Sequence, residues 1–109
     1  MRLLPIPIIC SLMNKPTFEQ VLKEIRMTNI DIGENEYSEK SFGSWFVTVQ
    51  TNPKRRLVWD GKESWYIVQE ESEEKVQGYE GWRDLWIDRH PKHNSALVGI
   101  EKLLGSALA

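Results

Sequence analysis

Phe42-Gly43-Ser44-Trp45-Phe46-Val47-Thr48-Val49-Gln50, Arg56-Leu57-Val58-Trp59-Asp60-Gly61-Lys62 and Ser64-Trp65-Tyr66-Ile67-Val68-Gln69 are three short aromatic and β-branched runs. Asn52-Pro53 and Asp60-Gly61 separate them. Runs of this length and composition between turn residues form antiparallel strands. Asp-Gly is a strong hairpin signal, because a type I′ turn needs positive φ at both central residues. The three runs therefore read as a meander. Alternation along the first puts Trp45, Val47 and Val49 on one face and Phe46, Thr48 and Gln50 on the other. The second places Leu57 and Trp59 opposite Arg56 and Val58. The third carries apolar side chains on both faces, Trp65 and Ile67 on one, Tyr66 and Val68 on the other.

Outward from the meander, Phe18, Val21, Leu22 and Ile25 fall at i, i+3, i+4 and i+7, the apolar stripe of a helix. Thr17 and Gln20 fit a capping box at its start. A second helix follows Asn94-Ser95, with Leu97, Ile100 and Leu104 as its buried stripe. Gly99 in its middle costs about 1 kcal/mol relative to Ala or permits a close approach. Trp82 to Asp88 reads as a fourth strand, although Trp82, Leu85 and Trp86 also fit a helical spacing. Residues 29–40 and the Glu70 to Lys75 run are polar and read as loops. The expected fold is α+β: a three- to four-stranded antiparallel sheet with an N-terminal and a C-terminal helix on one face. Phe46, Arg56, Val58, Tyr66 and Val68 are then expected on the opposite, open face.

The chain has 109 residues, enough for one domain with one core. Residues 14–109 are read as that domain and residues 1–13 as an apolar tail. The run Leu3-Leu4-Pro5-Ile6-Pro7-Ile8-Ile9-Cys10 is too short for a spanning helix, and its prolines exclude a helix of any kind. Met13 as the natural start, or a loosely attached tail, is the expectation. The lone Cys10 rules out an internal disulfide and points to a reducing compartment. A formal net charge of −2 gives no general drive toward nucleic acid or anionic lipid. Lys54-Arg55-Arg56 is the one basic cluster, at a hairpin tip where solubilising charge is usual. Five tryptophans are many for this length. Most are read as core, since the same residue that anchors contact surfaces also fills core volume.

No pattern of residues defines a chemistry. His90 and His93, with Asp88, are metal-capable side chains, but a closed structural zinc site needs a fourth ligand, and no cysteine lies near. No serine lies in a nucleophile motif, and there is no phosphate-binding glycine loop. No catalytic residue, cofactor or metal is assigned. The alternative of a ligand pocket or a minor enzymatic cleft would use Asp84, Asp88 and His90. What remains is protein binding. An open face with aromatic, aliphatic and arginine side chains has the composition of a contact surface. Acidic residues, Glu34 and Glu36 in one loop and Glu70, Glu71, Glu73 and Glu74 in another, would meet a basic partner. A homodimer would cover the same face, and a subunit of a larger assembly would account for the apolar tail.

The run Arg56-Leu57-Val58-Trp59-Asp60-Gly61, preceded by the Trp45 strand and followed by another strand and a helix, resembles the TriTu-type immunity proteins of bacterial polymorphic toxin systems. The resemblance spans roughly Phe42 to Leu104. It implies a cytoplasmic protein that binds a cognate toxin and blocks its active site. Trp45, Trp59 and Gly61 are the residues it carries over, as structural positions.

Overall fold

The structure, a computed structural model, describes residues 15–72 and 81–105. The tail over residues 1–13, the acidic residues Glu73 and Glu74 and the chain end 106–109 lie outside them. The order of elements is helix α1 (Lys15–Arg26), β1 (Ile32–Ser38), a 3-10 turn (Glu39–Ser41), β2 (Ser44–Val49), β3 (Arg55–Asp60), β4 (Trp65–Glu71), β5 (Trp82–Asp88) and helix α2 (Ser95–Leu104). The strands form one antiparallel sheet in sequence order, β1-β2-β3-β4-β5. Both helices pack on the same side of it, as expected for this α+β class.

The sheet has five strands rather than three or four. The extra one is β1, in the segment expected to be a loop. Only Ile32 and Tyr37 turn apolar groups inward there, and the pairing with β2 shifts between Ile32 and Asn35. That irregularity breaks the two-residue alternation by which a strand is recognised. Trp82 to Asp88 is a strand, as expected, and not a helix. Pairing with β4 shifts at Val68/Gln69, leaving Leu85 as an extra residue. The bulge turns Trp86 into the core while Trp82, Asp84 and Ile87 stay outside, so the two-residue alternation is interrupted along β5.

The β3–β4 turn differs from the two-residue hairpin expected at Asp60-Gly61. Asp60 pairs with Trp65, so four residues make the loop. The Asp60 carboxylate accepts from the backbone N–H groups of Lys62 and Glu63, both at 3.0 Å, and Ser64 takes the left-handed φ of +61°. Gly61 is needed for space: a Cβ there would collide with the Phe42 carbonyl. This register sets Trp59 opposite Tyr66, both facing the helices. Tyr66 and Val68 are therefore core residues, not open-face residues as expected, and burial pushes the Tyr66 phenol far above its ordinary range, with Asp88 adding to the effect.

The core takes Phe18, Val21, Leu22 and Ile25 from α1 and Ile100, Leu103 and Leu104 from α2. Trp45, Val47, Val49, Leu57, Trp59, Tyr66 and Val68 come from the sheet. Burying each such side chain is worth about 1.5–3 kcal/mol. Phe18, Trp45, Tyr66 and Trp59 form a chain of rings with centroids 5.7, 6.0 and 4.8 Å apart. The helix starts differ in detail from the capping patterns. α1 already includes Lys15 and Pro16, so Thr17 lies inside it, and Gln20 donates to Glu24. At α2 the Asn94 side chain makes no cap. Ser95 instead accepts from the Lys92 N–H at 2.6 Å and donates to Asp88 at 2.7 Å.

Gly99 is where α2 presses on the sheet. A Cβ there would lie 2.8 Å from Leu57 Cδ1 and 3.5 Å from the Trp86 ring. Leu57 is fully buried and has nowhere to move. Gly99→Val is expected to destabilise the protein by about 2 kcal/mol through overpacking, read as a lower urea midpoint at unchanged m-value.

Candidate functional site

Since both helices lie on one side, the other side of the sheet has no layer over it among the described residues. Strand register assigns its residues. Phe46 and Val58 are paired neighbours on β2 and β3, and Ile67 and Ile87 are neighbours on β4 and β5. Trp65 stands opposite Asp60, its ring beneath the Arg89 guanidinium at 5.4 Å. Trp82 closes the far end.

Arg56 is the centre of this face. Its guanidinium lies 4.2 Å from the Trp82 ring centroid and 6.0 Å from that of Phe46. Its Nε–H donates to Gln69 Oε1 at 2.6 Å, and Gln69 Nε2 donates to Asp84 at 2.8 Å. Two aromatic contacts and one hydrogen bond thus hold a long side chain that would otherwise be mobile. Burial lowers the Arg56 pKa, while Glu34 and Asp84 oppose that effect, and the group stays protonated. Glu34, Glu36, Glu71 and Asp84 are all exposed. Glu36 pairs across from Phe46 and Glu71 across from Trp82, so the carboxylates ring the apolar centre.

Several expected contact residues take these places. Phe46, Arg56 and Val58 share the open face. Glu34 and Glu36 reach it from an edge strand instead of a loop, and Glu71 from the end of β4. Glu70 does not. It is 6% exposed and turned to the helix side, where Arg55 Nε at 3.1 Å and Arg83 Nη2 at 2.6 Å donate to its two oxygens. Arg55 also donates to the Leu103 carbonyl at the end of α2. The expected basic hairpin tip is thereby split: Arg55 ties the sheet to α2, and Arg56 organises the opposite face. Trp65, Ile67, Gln69 and Trp82 are face residues that the sequence reading left out. The four-residue Gly61–Ser64 loop is the signal that assigns the β4 pair, since it fixes which side of β4 faces out.

Asp84, Asp88 and His90 are not brought together. Asp84 is bound to Gln69 on the open face. Asp88 uses one oxygen for the Ser95 hydroxyl and the other for the His90 N–H, 3.0 Å away. His90 is exposed, and His93 lies at a separate groove between the helices. Among the described residues no group of three or more His, Cys, Asp or Glu could hold a metal ion. That interhelix groove, about 470 Å³, has Val21, Ala96, Leu97 and Ile100 in its lining, with Gln20 and Glu24 of α1 beside them. A smaller recess of about 190 Å³ opens on the sheet face beside Phe46. Among the described residues no helix is long and apolar enough to cross a membrane.

The architecture places the chain among α+β domains with a helix layer on one side of an antiparallel sheet. No protein family, curated protein or solved structure matches it.

Proposed function

We propose that this chain is a protein-binding domain and that its partner docks on the sheet face opposite the two helices. The observation that carries the reading is the arrangement of that face: an aromatic and aliphatic centre around an immobilised arginine, ringed by Glu34, Glu36, Glu71 and Asp84. Arginine and aromatic anchors inside a polar rim are where binding energy concentrates. The acidic rim favours a basic partner and speeds its approach. It works against docking of the same face of a second copy, where like charges would meet. On the immunity-protein resemblance the partner is a toxin domain met in the cytoplasm, and a nucleic-acid-cutting toxin would bring the matching basic surface.

The test is affinity capture from the source cells, followed by binding measurements with the captured protein after purification. Phe46→Ser and Trp82→Ser are each expected to weaken binding at least about thirtyfold, the loss typical of a hot spot. Leu97→Ser, on the helix side, serves as the control. A partner whose affinity falls with Leu97→Ser and not with the face variants would sink this reading.

A further inference from the structure

We propose that the recess beside Phe46 receives a basic side chain, lysine or arginine, from the docked partner. The proposal rests on the protein-binding reading and names the chemistry of its anchor. The recess is about 190 Å³ and is lined by Glu36, Ser38, Ser41, Ser44, Phe46 and Val58, with Trp45 beside them. Its position follows from register: Glu36 and Val58 both flank Phe46, and Ser38 stands across from Ser44.

The lining is divided by chemistry. Phe46 and Val58 offer an apolar wall suited to a methylene stem. Glu36 and the serine hydroxyls offer acceptors suited to a cationic head. Two of those hydroxyls are held in place. Ser38 Oγ accepts from the Ser41 N–H at 3.2 Å, and Ser44 Oγ accepts from the Gly61 N–H at 2.8 Å. Each oxygen keeps a second lone pair for an incoming donor. No cationic side chain lines the recess. Arg56, the cation at the centre of the face, is committed to Gln69 and Trp82. A carboxylate entering here would meet Glu36 and be repelled. An uncharged apolar group would match the apolar wall, which makes up most of the recess surface, but would leave Glu36 without a countercharge. An alkyl chain ending in an ammonium or guanidinium satisfies both halves, with the Phe46 ring adding cation–π attraction.

The test uses n-butylammonium chloride as the probe, titrated into isotope-labelled protein and followed by NMR. Saturable shifts are expected at Ser38, Ser44, Phe46 and Val58. n-Butanol and sodium chloride at matched concentrations should not reproduce them. Glu36→Gln, an exposed position that leaves folding intact, should weaken the response roughly fivefold. Three results would each overturn the proposal: no saturable shift, an equal response to butanol, or unchanged binding by Glu36→Gln. Because the probe requires no partner, its failure removes the recess alone. Failure of the docking reading appears instead in the partner-affinity measurements on Phe46 and Trp82.

Discussion

Tyr66→Ala is expected to destabilise the protein by about 3–5 kcal/mol, the cost of deleting a large core aromatic. Tyr66 is 1% exposed and packs between Trp45 and Trp59, with ring centroids 6.0 and 4.8 Å away. Removing the ring opens a cavity bordered by two rigid indoles that collapse poorly. For a domain of this size, a loss of that order lowers Tm by roughly 20 °C. The informative comparison is with Ile67→Ala, one position along the same strand. Ile67 lies on the open face and is only half-buried, so its truncation should cost about 1 kcal/mol or less. Urea unfolding of the two variants reads out the orientation of β4 directly. Equal losses would mean that β4 is covered on both sides, and a larger loss for Ile67 would reverse its faces.

Glu70→Gln has the second largest expected effect, about 3 kcal/mol at neutral pH. It leaves the Arg55 guanidinium partly buried without its countercharge. Glu70 also bridges β3 and β5 through Arg55 and Arg83, and Arg55 continues to the Leu103 carbonyl. The hydrogen bond from Arg83 holds the Glu70 carboxyl below its ordinary range. Burial opposes this, and Arg55 reinforces it. A folded pKa below the unfolded one means that the stabilisation is complete above the ordinary glutamate value, about 4.3, and is lost as pH falls further through the folded value. The gap between wild type and Glu70→Gln should therefore be widest near pH 6 to 7 and should shrink steadily below about pH 4.3. Chemical denaturation of both proteins across that window is the measurement. A gap independent of pH would remove the charge network as its cause.

The same two residues show how far the sequence could be read. The meander from Trp45 to Val68 was legible because alternation is clean along β2 and β3 and its turn residues are marked. α1 was legible from its stripe and α2 in part: Ile100 and Leu104 are buried as expected, but Leu97 is exposed and Leu103 is buried beside them. Tyr66 was assigned to the wrong face because β4 is apolar on both sides, and alternation cannot choose between two apolar faces. The loop length decides it. Once Asp60 stands opposite Trp65, Tyr66 must accompany Trp59. Glu70 was hidden by its surroundings, in a run of glutamates that reads as solvated. Its partner Arg55 is remote in sequence and is found only by counting back along the hairpin, which sets Arg55 opposite Glu70. β1 was illegible because an edge strand with one bulge and two inward apolar groups keeps almost nothing of the strand pattern. The open face was legible in composition through Phe46, Arg56 and Val58. Its shape depended on pairings between strands that no single segment encodes.

The placement of the two helices has a consequence for synthesis. α1 precedes every strand and α2 follows every strand, yet both close the same side of the sheet and touch each other there. A ribosome delivers the five strands in their pairing order, so each hairpin can form as soon as its second strand emerges. The inner surface, with Trp45, Leu57, Trp59 and Tyr66, has only α1 to shelter it until Leu103 and Leu104 arrive. The nascent chain therefore carries a half-covered, indole-rich surface from the emergence of β4 until α2 follows, and docking of that helix is the step that closes the core.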